Sequence, residues 1–571
     1  MDAMDPEVRC AAAPWGIPAA GRRFMPYAEG QAATPRGNVW AIQGGASAGQ
    51  APPARRPLNR AAGWPLQRKE VVAADADNAS SPFEIALDPP PKGSHRSAEV
   101  IYGQLRTAIL DGRLVPGSRL PVERQSAIFF GVSRNTIARA YARLALEGLV
   151  QSRQGSGRYV SPRQHRVLRE PSPAAGEADP RLNSLWRGPE LARSLHFWND
   201  NPRSNVRSTA ASVDFRPALV DPRLFTFETF RRISAGQLRQ METKPPAFKS
   251  PQGNQGHFPL RTAIAAHIGV SRAVACHHDD VLVTAGAQQA FDLLARVLVT
   301  PGQTTVAIED PGYPPMRAAF LAAGAHVVPV PVDAEGLVVD ALPAPVQIVC
   351  VCPSHQFPLG VSMSAQRRTA LLAFARKHGA VIVEDDYDGE FRYDGTPLQA
   401  LRSSATADDV FYVGTFSKCM LPALRLGFVV APRWAMPALT MAKNCLDWHC
   451  PTLTQMAVAR YIAEGHLVRH VRKLRDVYRR RRDLVWQILQ SDFPGELSPM
   501  PSHYGMHVAA LSTQPRPLEP ISAKLLALNV HLHSLERYFF SAPTMDGFVF
   551  GYGAADLKTI EQGLKTLRRV L

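Results

Sequence analysis

Between Val213 and Val413, short β-branched runs alternate with stretches of helical periodicity, and no other feature constrains the fold of this chain as strongly. The runs are Val281-Leu282-Val283, Thr305-Val306-Ala307-Ile308, Val346 to Val351, Val381-Ile382-Val383 and Val410 to Val413. Successive residues of a strand face opposite ways, so a run that is apolar throughout must be covered on both sides. Helices between the runs supply that cover, and a mostly parallel α/β sheet is expected. From about Pro432 the pattern changes to a long basic helix (His466 to Gln490), short strands and a final helix, Leu557 to Leu571.

A chain of 571 residues exceeds one ordinary core, and a smaller domain is legible ahead of the sheet. Residues 1–90 are rich in Ala, Gly, Pro and Arg without a sustained apolar period, and are expected to be disordered. Within residues 91–163, Ile101, Leu105, Ala108 and Ile109 form one helical stripe that ends before Pro116-Gly117. A short helix over Glu123–Phe130 follows, then the turn Gly131-Val132-Ser133, with Ser133 placed to cap a third helix. On that helix Ile137, Tyr141, Leu144 and, just beyond it, Leu149 face inward, leaving Arg134, Asn135, Thr136 and Arg139 free near the amino end. Two extended pieces around Gln154-Gly155-Ser156-Gly157 form a tight hairpin. Three helices and a hairpin make a winged helix-turn-helix, an α+β module. Residues 164–210 read as a polar linker without sustained periodicity, and 211–571 as the large domain.

The formal net charge is +16. Between Arg96 and Arg158 there are ten Arg and no Lys against four acids, which leaves the small domain at +6. An Arg fork donates two parallel hydrogen bonds and suits both guanine edges and phosphates, so double-stranded DNA is one reading of this module and a solvated basic face, which charge alone favours, is the other. The seven cysteines show neither a Cys-x-x-Cys pair nor zinc-like spacing, which fits a reducing compartment. With no apolar run of membrane-spanning length and no signal-peptide pattern, a cytoplasmic protein without a membrane partner is expected.

Four pieces of the large domain carry chemistry. Val413-Gly414-Thr415-Phe416-Ser417-Lys418 follows a strand. Its lysine, held among small and hydroxyl residues, can form a Schiff base with an aldehyde, while Thr415, Ser417 and the nearby Arg425 can hold a phosphate. Glu384-Asp385-Asp386-Tyr387 ends another strand at the carboxyl edge of the sheet, where ligands of such folds sit. A carboxylate there can keep a pyridine nitrogen protonated, and Tyr387 can bond a phenolate oxygen. Tyr313, after Glu309-Asp310-Pro311-Gly312, can stack on a ring face. Thr284-Ala285-Gly286-Ala287-Gln288 opens a helix whose first N–H groups, at Ala287 and Gln288, can meet a phosphate.

Gly-Arg-Leu-Val-Pro-Gly-Ser-Arg-Leu-Pro (112–121), Gly-Val-Ser-Arg-Asn-Thr (131–136) and Arg-Gln-Gly-Ser-Gly (153–157) closely resemble the GntR regulator family. The resemblance implies Arg124, Ser133, Arg134, Thr136, Arg139 and Arg153 at the DNA, with Gly157 in the wing. Val122-Glu123 departs from it, since small polar residues are usual there. The large-domain pieces, in their order, resemble fold-type I aminotransferases, and Pro353-Ser354-His355-Gln356-Phe357-Pro358-Leu359-Gly360 narrows the likeness to the MocR subfamily of GntR regulators. That likeness implies pyridoxal phosphate on Lys418, Asp385 on its pyridine nitrogen, and Tyr387, Tyr313 and Arg425 as ring and phosphate contacts. It also implies a head-to-tail homodimer. Aminotransferases carry Asn-Pro-x-Gly where this chain has Phe357-Pro358-Leu359-Gly360. Val549 stands where many relatives have an Arg that grips a substrate carboxylate. The expected function is a transcription regulator sensing pyridoxal phosphate or an amino compound. Its rivals are an active aminotransferase with a DNA-binding appendage and a cofactor-free dimerisation domain.

Overall fold

The structure, a computed structural model, describes residues 83, 85–91, 93–153, 156–161, 181, 183–195, 197, 213–245, 254–394, 399–404 and 409–571. Contacts divide it into two compact units, one within 21–178 and one over 179–571. The expected disorder of 1–90 falls almost wholly outside the described residues.

The smaller unit comprises α1 (Ser97–Leu110), α2 (Glu123–Phe130), α3 (Arg134–Leu146) and an antiparallel hairpin of β1 (Val150–Arg153) and β2 (Gly157–Val160), with Arg153 opposite Gly157. Gly131, left-handed at φ 64°, stops α2, and the Ser133 side chain accepts the Thr136 N–H to start α3. The Tyr141 hydroxyl ties the helices together. It donates to Pro121 O at 3.0 Å and lies 2.8 Å from Ser126 Oγ. The core contains Ile101, Leu105, Ile137, Tyr141, Leu144 and Val160. It begins ahead of the boundary expected at residue 91. Phe83 is 4% exposed, packs against Phe129 and Phe130, and shares the core with Leu87. Gln104 fixes this segment through reciprocal bonds with the Asp88 backbone, 2.8 and 2.9 Å long.

In the larger unit a 3-10 turn (Ser184–Arg187) and α4 (Pro189–Leu195) fall within 164–210, so the expected featureless linker contains a helix. Leu191 of α4 is buried against Ala318, Leu321 and Phe540. After β3 (Val213–Asp214), α5 (Phe227–Thr243) and α6 (Phe258–Arg272) come the elements of the main sheet. In chain order these are β4 (Val281–Thr284), α7 (Ala287–Leu298), β5 (Thr305–Asp310), α8 (Pro314–Ala322), β6 (His326–Asp333), β7 (Gly336–Leu337), β8 (Ile348–Val351), α9 (Ala365–His378), β9 (Val381–Asp386), β10 (Val410–Thr415) and β11 (Gly427–Val430). The strand order is β4-β11-β10-β9-β8-β5-β6-β7, with β8, β9, β10, β5 and β6 parallel and β11 and β7 reversed.

Alternation along the strands splits the core as the sequence requires. Val306, Ile308, Ile348 and Cys350 face α7 and α8, whereas Ala307, Val349 and Val351 face α9. The rest comprises α10 (Met436–Leu446), α11 (Thr452–Ala463), the 27-residue α12 (His466–Asp492), β12 (Leu497–Pro499), β13 (His507–Ser512), α13 (Glu519–Ala527), β14 (Val530–His531), β15 (His533–Ser534), β16 (Gly547–Gly551) and α14 (Leu557–Val570). A second, antiparallel sheet runs β12-β13-β16-β15. Among the described residues no helix is long and apolar enough to cross a membrane.

Candidate functional site

Lys418, Asp385, Tyr387, Tyr313, Thr415, Ser417, Arg425, Ala287 and Gln288 all line one cavity of about 450 Å³ in the larger unit. It lies where β4, β5, β9 and β10 end: Asp385 and Thr415 come from the strands themselves, Tyr313, Tyr387, Ser417 and Lys418 from the segments that follow them, Ala287 and Gln288 from the start of α7, and Arg425 from just ahead of β11. Ala218, Phe357 and Pro422 complete the wall.

The three successive acids of β9 are sorted by the pleat. Glu384 accepts the N–H groups of Leu401 and Arg402 at 2.8 and 3.0 Å. Asp386 pairs with Arg272 at 2.6 Å and accepts the Tyr412 hydroxyl at 2.6 Å. Asp385 alone of the three faces the cavity. Its Oδ1 is buried without a partner, and burial first, then the charges of Asp386 and Asp388, pushes its carboxyl up to about 8. The Lys418 amine donates to Ala218 O at 2.6 Å, and burial brings it down to about 8. A near-neutral pH therefore leaves a nucleophilic fraction of this amine available for an aldehyde.

The end of the cavity beside α7 combines backbone with side chains suited to an anion. Gly286, at φ 83°, precedes α7, and a Cβ there would lie 3.0 Å from Arg425 Nη2. Arg425 donates to Ala285 O at 2.9 Å, which sets its guanidinium beside the start of α7. The Ser417 N–H donates to Thr415 Oγ1 at 3.1 Å. A helix start, a guanidinium and two hydroxyls suit a phosphate. The unpartnered Asp385 oxygen suits a protonated ring nitrogen, so the residues fit pyridoxal phosphate. Tyr313 stands edge-on to Phe357 at 5.3 Å between ring centroids, and Phe197 reaches it from the linker at 5.9 Å.

Sequence reasoning assigns no role to His355, Asp388 and His507, which lie behind Tyr387. The signal for the first two is slight, since His355 belongs to the Pro353–Gly360 motif and Asp388 adjoins Tyr387. Nothing in the sequence marks His507.

In the smaller unit, Arg124, Arg134, Arg139 and Arg153 are exposed. The Ser133 and Thr136 hydroxyls lie 2.9 Å apart, and both serve the start of α3. The Arg153 guanidinium lies over the Tyr159 ring at 4.6 Å. Gly157, at φ 108°, closes the hairpin, and a Cβ there would meet Arg119 Nε at 3.2 Å. Glu123, the departure in the turn before Arg124, pairs with Arg158 of β2 at 3.1 Å and so joins α2 to the hairpin.

Residues 97–160 match the family described as bacterial regulatory proteins, gntR family, and residues 231–527 match aminotransferase class I and II. The chain is 33% identical over 470 residues to the probable rhizopine catabolism regulatory protein MocR of Rhizobium meliloti, covering 82% of this chain and 92% of that protein. It is also 33% identical to the HTH-type pyridoxine biosynthesis transcriptional regulator PdxR of Corynebacterium glutamicum, covering 80% and 92%. Among solved structures, LysN, the α-aminoadipate aminotransferase of Thermus thermophilus complexed with N-(5'-phosphopyridoxyl)-L-leucine, is similar with a TM-score of 0.58 and 27% identity, covering 66% of this chain and 98% of that one. With a winged helix-turn-helix and a fold-type I aminotransferase domain whose cofactor is pyridoxal phosphate, this chain belongs to the MocR-type regulators of the GntR family.

Proposed function

We propose that this chain is a cytoplasmic, DNA-binding transcription regulator whose larger unit holds pyridoxal phosphate in order to sense the cofactor, or an amino compound that meets it there, rather than to turn over amino acids. Bound in the cavity, the cofactor supplies an aldehyde and an electron-withdrawing ring. Lys418 would take the aldehyde, Asp385 the ring nitrogen, Tyr387 the phenolic oxygen, Tyr313 the ring face, and Ser417, Thr415, Arg425 and the start of α7 the phosphate. Arg124, Arg134, Arg139 and Arg153 would meet the operator, with the Ser133–Thr136 cap and Gly157 shaping the elements that present them.

One observation carries the choice of sensing over turnover. Among the described residues, the only cationic side chains lining the cavity are Lys418 and Arg425, and both are committed to the cofactor in this reading. Val549 lies on β16, wholly buried with Phe357 and Tyr387 in one apolar cluster. An α-carboxylate would enter without the bidentate guanidinium that its charge calls for.

The linker offers a route outward. Ser194 of α4 accepts from Arg317 of α8 at 2.9 Å, and Phe197 touches Tyr313. The test compares operator affinity of the cofactor-loaded parent with that of Lys418→Ala, which should lose the visible absorbance of the lysine-bound cofactor. Affinity should differ between the two, and no amino acid should be converted over multiple turnovers. Equal affinity together with sustained transamination would overturn the reading in favour of an enzyme. A head-to-tail homodimer is part of the same proposal, and a monomeric mass in solution would remove it.

A further inference from the structure

Behind Tyr387, and outside the residues that line the cavity, lies a buried polar trio of His355, Asp388 and His507. His355 Nδ1 sits 3.0 Å from Asp388 Oδ2 and 2.9 Å from Tyr387 Oη. His355 is 2% exposed, Asp388 1% and His507 0%. The packing leaves His355 little freedom. Gly505, at φ 81°, lies flat against the imidazole, and a Cβ there would come within 1.9 Å of its Cε1 and 2.6 Å of Asp388 Oδ2. From the other side comes the His507 ring, 4.6 Å away between centroids, itself held by a 2.9 Å bond from Nε2 to Pro358 O. The titratable and charged groups facing the trio and Tyr387 are Asp385, Asp386, Cys352, Glu309, Lys418, Arg272, Tyr393 and Tyr552.

The proton count decides what Tyr387 can do. Burial keeps the imidazole neutral, down to about 3, and the Asp388 carboxyl well above its ordinary range. A protonated Asp388 beside a neutral imidazole donates from Oδ2 to Nδ1, and the imidazole's own proton is then on Nε2. The Nδ1 lone pair is taken. Tyr387 therefore cannot donate to His355. Its O–H must turn away, and the cavity is the space it also lines.

We propose that Asp388 and His355 are positioning residues that turn the Tyr387 hydroxyl into the cavity as a hydrogen-bond donor to the phenolic oxygen of pyridoxal phosphate. Phe357, beside Tyr387, offers no polar side-chain atom there, so the orientation of one hydroxyl governs how that oxygen is bonded. The proposal rests on the placement of the cofactor given above.

The test is the pH midpoint of the visible absorbance of the lysine-bound cofactor in the full-length protein. Tyr387→Phe removes the donor and should move the midpoint by about half to one pH unit, the size of one exchanged hydrogen bond. Asp388→Ala frees the Nδ1 lone pair, draws the Tyr387 proton back to His355, and should move the midpoint in the same direction by a similar amount. Asp388→Asn, whose amide can still donate to Nδ1, should keep the parental midpoint. Asp388→Ala added to Tyr387→Phe should change nothing further. If Asp388→Ala does not fold, Asp388→Ser, too short to reach Nδ1, takes its place in the same comparison. A parental midpoint in the Asp388→Ala variant, or an equal extra shift on the Tyr387→Phe background, overturns the positioning role. A parent protein without lysine-bound absorbance overturns the cofactor placement itself, and the positioning role with it.

Discussion

Replacing Asp385 by Asn should weaken cofactor binding and, in the cofactor-free protein, raise stability at neutral pH. The two effects share one cause. Asp385 is 4% exposed, its Oδ1 has no partner, and its Oδ2 has only the Cys352 thiol, 3.9 Å away. Without cofactor its carboxyl holds a proton up to about 8, against about 4 in an unfolded chain. A folded-state value above the unfolded one means that the folded form binds more protons between the two, so stability falls as pH rises from about 4 to about 8. Asn does not titrate, and the loss disappears in the variant. With cofactor present the sign reverses. The carboxylate pairs with a protonated ring nitrogen in a charge-assisted bond, where Asn offers a neutral one, a difference of about 1–2 kcal/mol. That corresponds to a roughly 5- to 30-fold weaker Kd. Absorbance titration of stripped protein gives the Kd, and urea denaturation at pH 7 of the cofactor-free pair gives the stability. Parental affinity in Asp385→Asn, or a less stable cofactor-free variant at pH 7, would refute the assignment of this residue.

Three further outcomes are expected. Phe83→Ala should destabilise the isolated 80–165 fragment by about 2–3 kcal/mol, the lost burial of one aromatic ring, read from its urea midpoint; an unchanged midpoint would return residue 83 to the tail. Covalent capture of pyridoxal phosphate should accelerate as pH rises and reach half its limit near 8, where the buried Lys418 amine loses its proton; a rate flat from pH 6 to 9 would exclude that amine. Arg134→Ala and Arg139→Ala should each cost about 1–3 kcal/mol on the operator and relax preference at one base pair, whereas Arg153→Ala, held over Tyr159, should weaken all sequences alike and lower the salt slope by about one.

How much is legible in the sequence depends on whether a signal repeats. The five buried runs fall on β4, β5, β8, β9 and β10 because each strand is apolar on both faces. Of the three successive acids only Asp385 lines the cavity, because the pleat turns Glu384 and Asp386 towards other partners. Strand β6 escapes notice because Pro329 and Pro331 interrupt it, and prolines argue against a strand interior. They are tolerated because both face the same edge, where β7 pairs only with Val332 and Asp333. Phe83 gives no signal, being one aromatic in a stretch without period. Helix α4 has seven residues, too few to establish a 3.6-residue repeat, and tertiary contacts rather than propensity hold it. His507 lies far from His355 in sequence, and only the fold brings the rings together.

The placement of α4 bears on how an occupied cavity could act at a distance. A ligand shifts an equilibrium only through interactions that differ between two states, so whatever carries the signal must touch both the ligand and something that can rearrange. Tyr313 meets the first requirement, since it lines the cavity and caps the start of α8. On its far side is Phe197, and one turn along α8 is Arg317, buried, stacked 4.9 Å from the Phe540 ring and bonded to Ser194. Arg317 Nη1 has no partner, and burial brings the guanidinium down to about 10. A buried cation with one donor unmatched costs free energy in this arrangement. The contact between α8 and α4 is open to biasing by the roughly 1–3 kcal/mol typical of coupling between sites. Arg317→Met keeps the apolar bulk and removes the unmatched donor together with the bond to Ser194, whose hydroxyl keeps its bond to Glu190 O. It should stabilise the docking of α4 and make operator affinity less sensitive to cofactor. If the variant responds to cofactor as the parent does, the α8–α4 contact is structural and the signal leaves the cavity by another path.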